Sequence, residues 1–467
     1  MTATCRRAVL GLLLLAGVAS AQPPAADFER ALEDFRATLE KLVEADTTNP
    51  PGNEARAVAI VAARLAAEGI PHEVTEFAPG RQNVVARLAG DGSEKPLLLL
   101  AHLDVVGAEG QPWTSPPHRV TERDGFLVGR GVSDDLGMAL VELESVILLR
   151  RSAAKLRRDV ILALTGDEES GGAGIRWLLE HRPETVAAEL ALNEGGGVRL
   201  DERGQVRSVE LQAAEKTYQD FALVARGSTG HSSVPLADNA IYRLARALER
   251  LGRHSFPVRL LPVTREYFRA RAAVESGALA DALRAAASSP AAIAAPALEV
   301  LEANPRLAAT LRTTCVATTL GGGTRVNALP AEARANVNCR ILPDENPADV
   351  ARELARAIAD PGLAIEPLES FGFGPPSALD GQGPRAVREV AAAAWPGAPV
   401  VPLLALGATD SRFLRARGIA AYGLNPIAMT ESEARRAHGI DERIPLASLR
   451  PAIEFFHGLV LALAGAR

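Results

Sequence analysis

The chain has 467 residues, 47% of them hydrophobic and 23% charged, with a formal net charge of -6 at pH 7. That length exceeds what one hydrophobic core usually serves, so two domains are expected, with apolar residues enough to build both. Arginines scattered among acids on a mildly acidic chain exclude the basic stripe of a nucleic-acid binder.

Arg6 and Arg7 precede an apolar run, 8–18, that ends in Ala19-Ser20-Ala21. Basic, apolar and small residues in that order predict a secretory signal, residues 1–21, with an A-x-A cleavage site. The run is too short to span a bilayer comfortably. Cleavage would leave a chain beginning at Gln22, exported to a periplasm or secreted. Its net charge would be -8, because residues 1–21 carry two arginines and no acid. The paired arginines are also compatible with export of a folded, metal-loaded chain. No later stretch reads as long enough for a membrane helix. Cys5 leaves with the signal, so only Cys315 and Cys339 could pair in an oxidising compartment. They lie symmetrically about Asn327, as a hairpin would place them, but strand register stays open.

The mature chain first alternates helix and strand. Residues 28–45 and 54–68 have helical apolar spacing, separated by the TTNPPGNE turn. Strands are predicted at 72–77, 83–88, 96–100, 160–165 and 189–192, with helices at 137–149 and from 174. The fully apolar 96–100 reads as a strand buried on both faces, as in the middle of an α/β sheet. From residue 209 the pattern becomes strand 218–225, helix 239–251, strands 313–320 and 331–342, helix 348–358 and strand 363–368. This βαββαβ order is that of a small split-βαβ sheet domain. An alanine-rich helical insertion, 262–311, is placed within it. Helices at 384–394 and 446–464 return the chain to α/β character. The expected organisation is α/β, with a discontinuous catalytic domain (22–214 and 371–467) interrupted by the small sheet domain (215–370).

Five short segments carry the chemistry: AHLDVV, GRGVSDD, TGDEESGG, LNEGGG and AHGIDER. Three follow apolar strands, at the carboxyl ends where open α/β sheets place their sites. His102 and Asp104 are two residues apart in an extended segment, so both point into one site. The imidazole can bind metal while the carboxylate orients it. In GRGVSDDLG, a glycine-framed loop can hold Asp134 or Asp135 rigidly enough to bridge two cations. The competing structural role is to cap the following helix. Glu168 and Glu169 are adjacent acids after a buried strand, whose repulsion needs cations or a shared proton. One can ligate metal while the other serves as general base. Glu194 and His438 complete two ligand sets, although solvated surface acids and imidazoles are the ordinary alternative. The pattern predicts a hydrolase with two metal ions. A histidine and carboxylate set suits Zn2+, and Co2+ or Mn2+ would fit the same donors.

These segments, with GSTGHSSVP and GGGTRVNALP, resemble the zinc metallopeptidase family of carboxypeptidase S, aminoacylase, acetylornithine deacetylase and succinyl-diaminopimelate desuccinylase. The resemblance covers nearly the whole mature chain. It implies that His102, Asp134 and Glu194 bind one zinc ion and Asp134, Glu169 and His438 the other, with Asp134 bridging. It further implies that Asp104 supports His102, that Glu168 is the general base, and that the inserted domain is a lid and homodimer interface. His231 of GHSS would stabilise the oxyanion, commonly from the partner subunit, and Asn327 and Arg340 would hold the substrate's carboxylate or carbonyl. GATDSRFL, around Asp410 and Arg412, points toward the carboxypeptidase S branch. Leu136, Gly107 and Asn193 depart from the usual lysine, proline and aspartate, and the last would matter if that position were the ligand.

The activity implied is hydrolysis of an amide to an amino acid with a free carboxylate, by an exported dipeptidase or carboxypeptidase. The alternative substrate is an N-acyl amino acid. A reading from another class is an inactive dimeric metal- or peptide-binding protein. A serine hydrolase is disfavoured, since no GxSxG elbow occurs.

Overall fold

The structure is a computed structural model and describes residues 26–289, 292–370 and 372–466. The predicted signal, 1–21, lies outside the described residues.

Strand Leu97–His102 is the centre of the large sheet. All six of its residues are buried, which four successive leucines require when both faces of a sheet are covered. It runs parallel to Val160–Thr165 on one side and Leu190–Asn193 on the other, with Leu99 opposite Leu162 and Leu192. Among the described residues this sheet has ten strands; His72–Ala78 and Arg81–Leu88 are antiparallel at one edge, and Gly197–Leu200 is antiparallel to Val206–Glu215 near the other. Helix Leu136–Arg151 covers one face and is buried from Leu136 through Leu149, as befits a helix apolar nearly all round. Helices Phe28–Glu44 and Leu446–Ala464 pack on it. By length and composition Leu446–Ala464 could cross a membrane, contrary to the expectation that no such stretch exists. Ile453, Phe456, Leu459 and Val460 are instead buried in the catalytic core, so it is a core helix.

Strands Thr217–Arg226, Thr314–Gly322, Glu332–Ile341 and Leu363–Ser370 form a separate antiparallel sheet. Helices Ala240–Arg253 and Pro347–Ile358 contribute Leu244, Ala247, Val350 and Leu354 to its core. This is the expected βαββαβ unit. Cys315 lies opposite Cys339 across neighbouring strands, and the two are joined in a disulfide. The alanine-rich insertion is not part of this small domain. Its helix Pro262–Ala272 packs on strand Val400–Ala405 of the large sheet, and Phe268, Leu283 and Leu301 share a core with Val401. The reason is complementarity: Val401 and Leu403 need an apolar cover, which the insertion's small and leucine side chains supply.

A further sheet of three short strands was not anticipated. Arg443–Pro445 pairs with Phe126–Val128, which pairs with Thr121–Arg123. The pairing brings the loop after Val128 against the loop before Arg443. Those loops carry Asp134 and His438.

Candidate dinuclear metal centre

The parallel strands deliver His102, the 166–169 turn and Glu194 to one edge of the sheet, and the three-stranded sheet delivers Asp134 and His438 above it. Asp134 Oδ1 is 3.2 Å from His102 Nε2 and its Oδ2 is 3.1 Å from His438 Nε2. Glu169 Oε2 is 3.1 Å from the same His438 nitrogen, and Glu194 Oε2 is 4.0 Å from His102 Nε2. One carboxylate thus faces two imidazoles with separate oxygens, and each imidazole has a second acid beside it. Donor atoms of His102, Asp134 and Glu169 lie within 4.8 Å of one another, as do those of His102, Glu168 and Glu194. Asp135 occupies the cap position of helix Leu136–Arg151 but makes no side-chain capping bond, and only Asp134 reaches both histidines.

The electrostatics fit cations. Burial first, and then neighbouring acids, push the carboxyls of Asp135, Glu168 and Glu194 well above the ordinary range. Hydrogen bonds donated to Asp134 and Glu169 raise the His438 imidazole to about 10. On His102, burial opposes the charge, yet Asp104, Asp134 and Glu194 outweigh it and hold the pKa well above normal. In the metal-free chain, protons on the imidazoles supply part of the positive charge that these carboxylates demand. Two divalent ions would replace the protons on the ligating nitrogens and supply more charge, with the donors zinc prefers.

Asp104 lies beside His102 and holds more than that imidazole. His102 Nδ1 is 2.9 Å from the Asp104 main-chain carbonyl and 3.6 Å from the nearer carboxylate oxygen, within ion-pair reach. That carboxylate also accepts the backbone N–H of Glu168 at 3.1 Å and of Glu169 at 3.2 Å. Asn49 Nδ2 also donates to Asp104, at 2.8 Å, and to Asp167 at 3.2 Å. Arg81 bonds Asp167 at 2.7 Å and pairs with buried Glu54. Asn49 and Arg81 were not singled out in the sequence. A polar residue directly before Pro-Pro-Gly was the only signal for the first.

The description of peptidase family M20/M25/M40 matches residues 98–462. The chain belongs to that family. It is therefore an amidohydrolase of the metallopeptidase type, as the five segments predicted. Among its relatives, human N-fatty-acyl-amino acid synthase/hydrolase PM20D1 is 29% identical over 412 residues, covering 84% of this chain and 78% of that protein. Mouse aminoacylase-1 is 24% identical over 424 residues, covering 90% and 92%. Among solved structures, the M20 family metallo-carboxypeptidase Sso-CP2 from Sulfolobus solfataricus has the same fold, with a TM-score of 0.71 at 20% identity, covering 91% of this chain and 98% of that one.

In this M20 hydrolase the remaining predicted site residues are on the small domain. The Arg340 guanidinium stacks 4.6 Å from the Tyr218 ring centre. Burial and then the charge of Arg412 lower its pKa, against the pull of Tyr218 and Asp220. His231 and Asn327 sit together, exposed, where two short strands pair His231 with Ala328 and Ser232 donates to the Asn327 carbonyl. His231 Nδ1 is 2.7 Å from Ser233 Oγ. Among the described residues no contact joins His231 or Asn327 to the five-residue cluster. Asn193 is buried and donates to Ser411 at 3.0 Å, so its departure from aspartate leaves the cluster intact. Leu136 is buried in the core.

Proposed function

We propose that this M20 hydrolase holds two zinc ions, one between His102, Asp134 and Glu194 and one between Asp134, Glu169 and His438, and cleaves the amide bond to an amino acid bearing a free carboxylate. The observation that carries the reading is the Asp134 carboxylate, whose two oxygens face two different imidazoles at 3.2 and 3.1 Å. Ions bound there would polarise the scissile carbonyl and acidify a water between them. Glu168, beside this cluster and close to His102 and Glu194, takes the proton of the attacking water and delivers it to the leaving amine. Arg340 anchors the substrate carboxylate by a bidentate pair. His231 donates to the developing oxyanion.

Short peptides are the first substrate class, making the protein a dipeptidase or carboxypeptidase. N-acyl amino acids are the second, favoured by the relatedness to PM20D1 and aminoacylase-1. Amino-acid release from dipeptides, longer peptides and short- and long-chain N-acyl amino acids, with chelation and zinc restoration, tests both. Zinc-dependent release is expected, and the preferred class decides between peptidase and acylase. No release by a metal-loaded protein would favour a binding protein.

The working form is a homodimer through the small domain. Among the described residues His231 has no contact with the cluster of its own chain, and Val234, Tyr242, Val316, Leu320 and Val326 are exposed on that domain. Sedimentation equilibrium at micromolar concentration is expected to give twice the chain mass, and a monomer with full activity would contradict it. Export is supported by the signal pattern of residues 1–21 and by the disulfide, which an oxidising compartment maintains.

A further inference from the structure

Glu442 is fully buried and lies four residues after His438, in the loop that leads into strand Arg443–Pro445. Its carboxylate is surrounded by donors from the other metal-bearing loop. Oε1 accepts the backbone N–H of Ser133 at 2.9 Å and of Asp134 at 3.1 Å. Oε2 accepts the N–H of Gly131 at 3.1 Å and Arg130 Nη1 at 2.7 Å. The Glu442 carbonyl takes the Gly129 N–H at 3.0 Å. Arg130 reaches the other way as well: its Nη2 is 3.4 Å from the His438 carbonyl and 2.9 Å from Gln111 Oε1, and Gln111 Nε2 bonds the His438 carbonyl at 3.1 Å. Trp113 covers the guanidinium, its ring 5.0 Å away.

A buried carboxylate with four N–H donors on its two oxygens is a strong fixed point, because the Arg130 bond is charge-assisted and the backbone donors cannot rotate away. Glu442 contacts no acyl or amine position and offers no free oxygen to a metal. We infer that Glu442 is a positioning residue which, with Arg130, locks the Asp134 loop and the His438 loop into one unit and thereby sets the affinity of one metal site selectively. The inference rests on the ligand assignment proposed above. The ion between Asp134, Glu169 and His438 takes two of its three ligands from the locked loops. The ion between His102, Asp134 and Glu194 takes two from strand ends that Glu442 does not touch, and depends on it far less.

The test is a titration of the metal-free full chain with Zn2+, and separately with Co2+ for its d–d absorption. Wild type is expected to bind two ions tightly. In Glu442→Gln the amide NH2 must face either Arg130 and the Gly131 N–H or the Ser133 and Asp134 N–H groups, so one pair of donors loses its acceptor. The expected result is one unchanged ion and one weakened about 10- to 100-fold, the usual cost of losing an outer-shell partner. Activity at limiting zinc falls and returns with excess zinc, while KM is unchanged. Two ions bound as in wild type, or both weakened equally, would overturn the inference.

Gln111→Ala is the second variant, at a half-exposed position that leaves Glu442 and Arg130 in place. It is expected to weaken the same single site about two- to ten-fold, the worth of one hydrogen bond. An effect on neither site or on both would count against the lock, and this variant decides if Glu442→Gln does not fold. A wild type that binds two ions but hydrolyses nothing would remove the proposed activity and leave this inference standing.

Discussion

Replacing Glu168 by Gln is expected to lower kcat about 10²- to 10⁴-fold, the usual contribution of a general base, with two metal ions still bound. The side chain is half-buried beside the cluster, and its main-chain N–H is tied to Asp104 at 3.1 Å, so the backbone holds its place when the carboxylate is lost. Burial and then acidic neighbours push its pKa up in the metal-free chain, bound cations would act against that shift, and the base works only as the carboxylate. Activity should therefore fall on the acid side, and Glu168→Gln should lose this acid limb along with the rate. Metal content measured alongside turnover checks the assignment. Glu168 lies close enough to His102 and Glu194 to be a ligand itself; loss of one ion on substitution would make it one, and the base would have to be sought elsewhere.

Asp134→Ala is expected to remove both ions together, with each affinity falling more than about 100-fold, beyond the loss typical of an outer-shell partner. Hydrolysis then drops to background and Tm approaches that of the chelated wild type, because ions that bind only the folded chain stabilise it by mass action. Retention of one tight ion would mean that Asp134 does not bridge. The metal-free proteins carry a second signature. Asp134 and Glu169 raise the His438 imidazole to about 10, so the stability this contributes is fully present below the unfolded pKa near 6.5 and is lost as pH rises toward 10. Asp134→Ala weakens that contribution. The Tm gap between metal-free wild type and variant should therefore narrow as the pH is raised from 6.5 to 10.

The exposed hydrophobic residues of the small domain were not separable by sequence from an ordinary solvated surface. Periodicity located the strand Thr217–Arg226 and the helix Ala240–Arg253 to within a few residues. It could not say that the following insertion leaves the small sheet and covers Val401 on the large one. Short strands escaped for a related reason. Phe126–Val128 and Arg443–Pro445 are three residues each, too few to show a period, and they are defined by their pairing across more than 300 residues of chain.

Sequence alone determined the residue types and the order of the five ligand-bearing segments, the family they imply, and the placement of three of them after buried strands. Those features are local, because an apolar run makes a central strand and the polar residue after it stands at the strand's end. Tertiary structure decided which acid of each adjacent pair meets an imidazole. It set the Asp104 carboxylate against the Glu168 and Glu169 backbone N–H groups. It also surrounded Glu442 with four donors from a loop some 310 positions away. Such roles depend on the direction of a side chain relative to a distant backbone, which is fixed only when the sheets have closed.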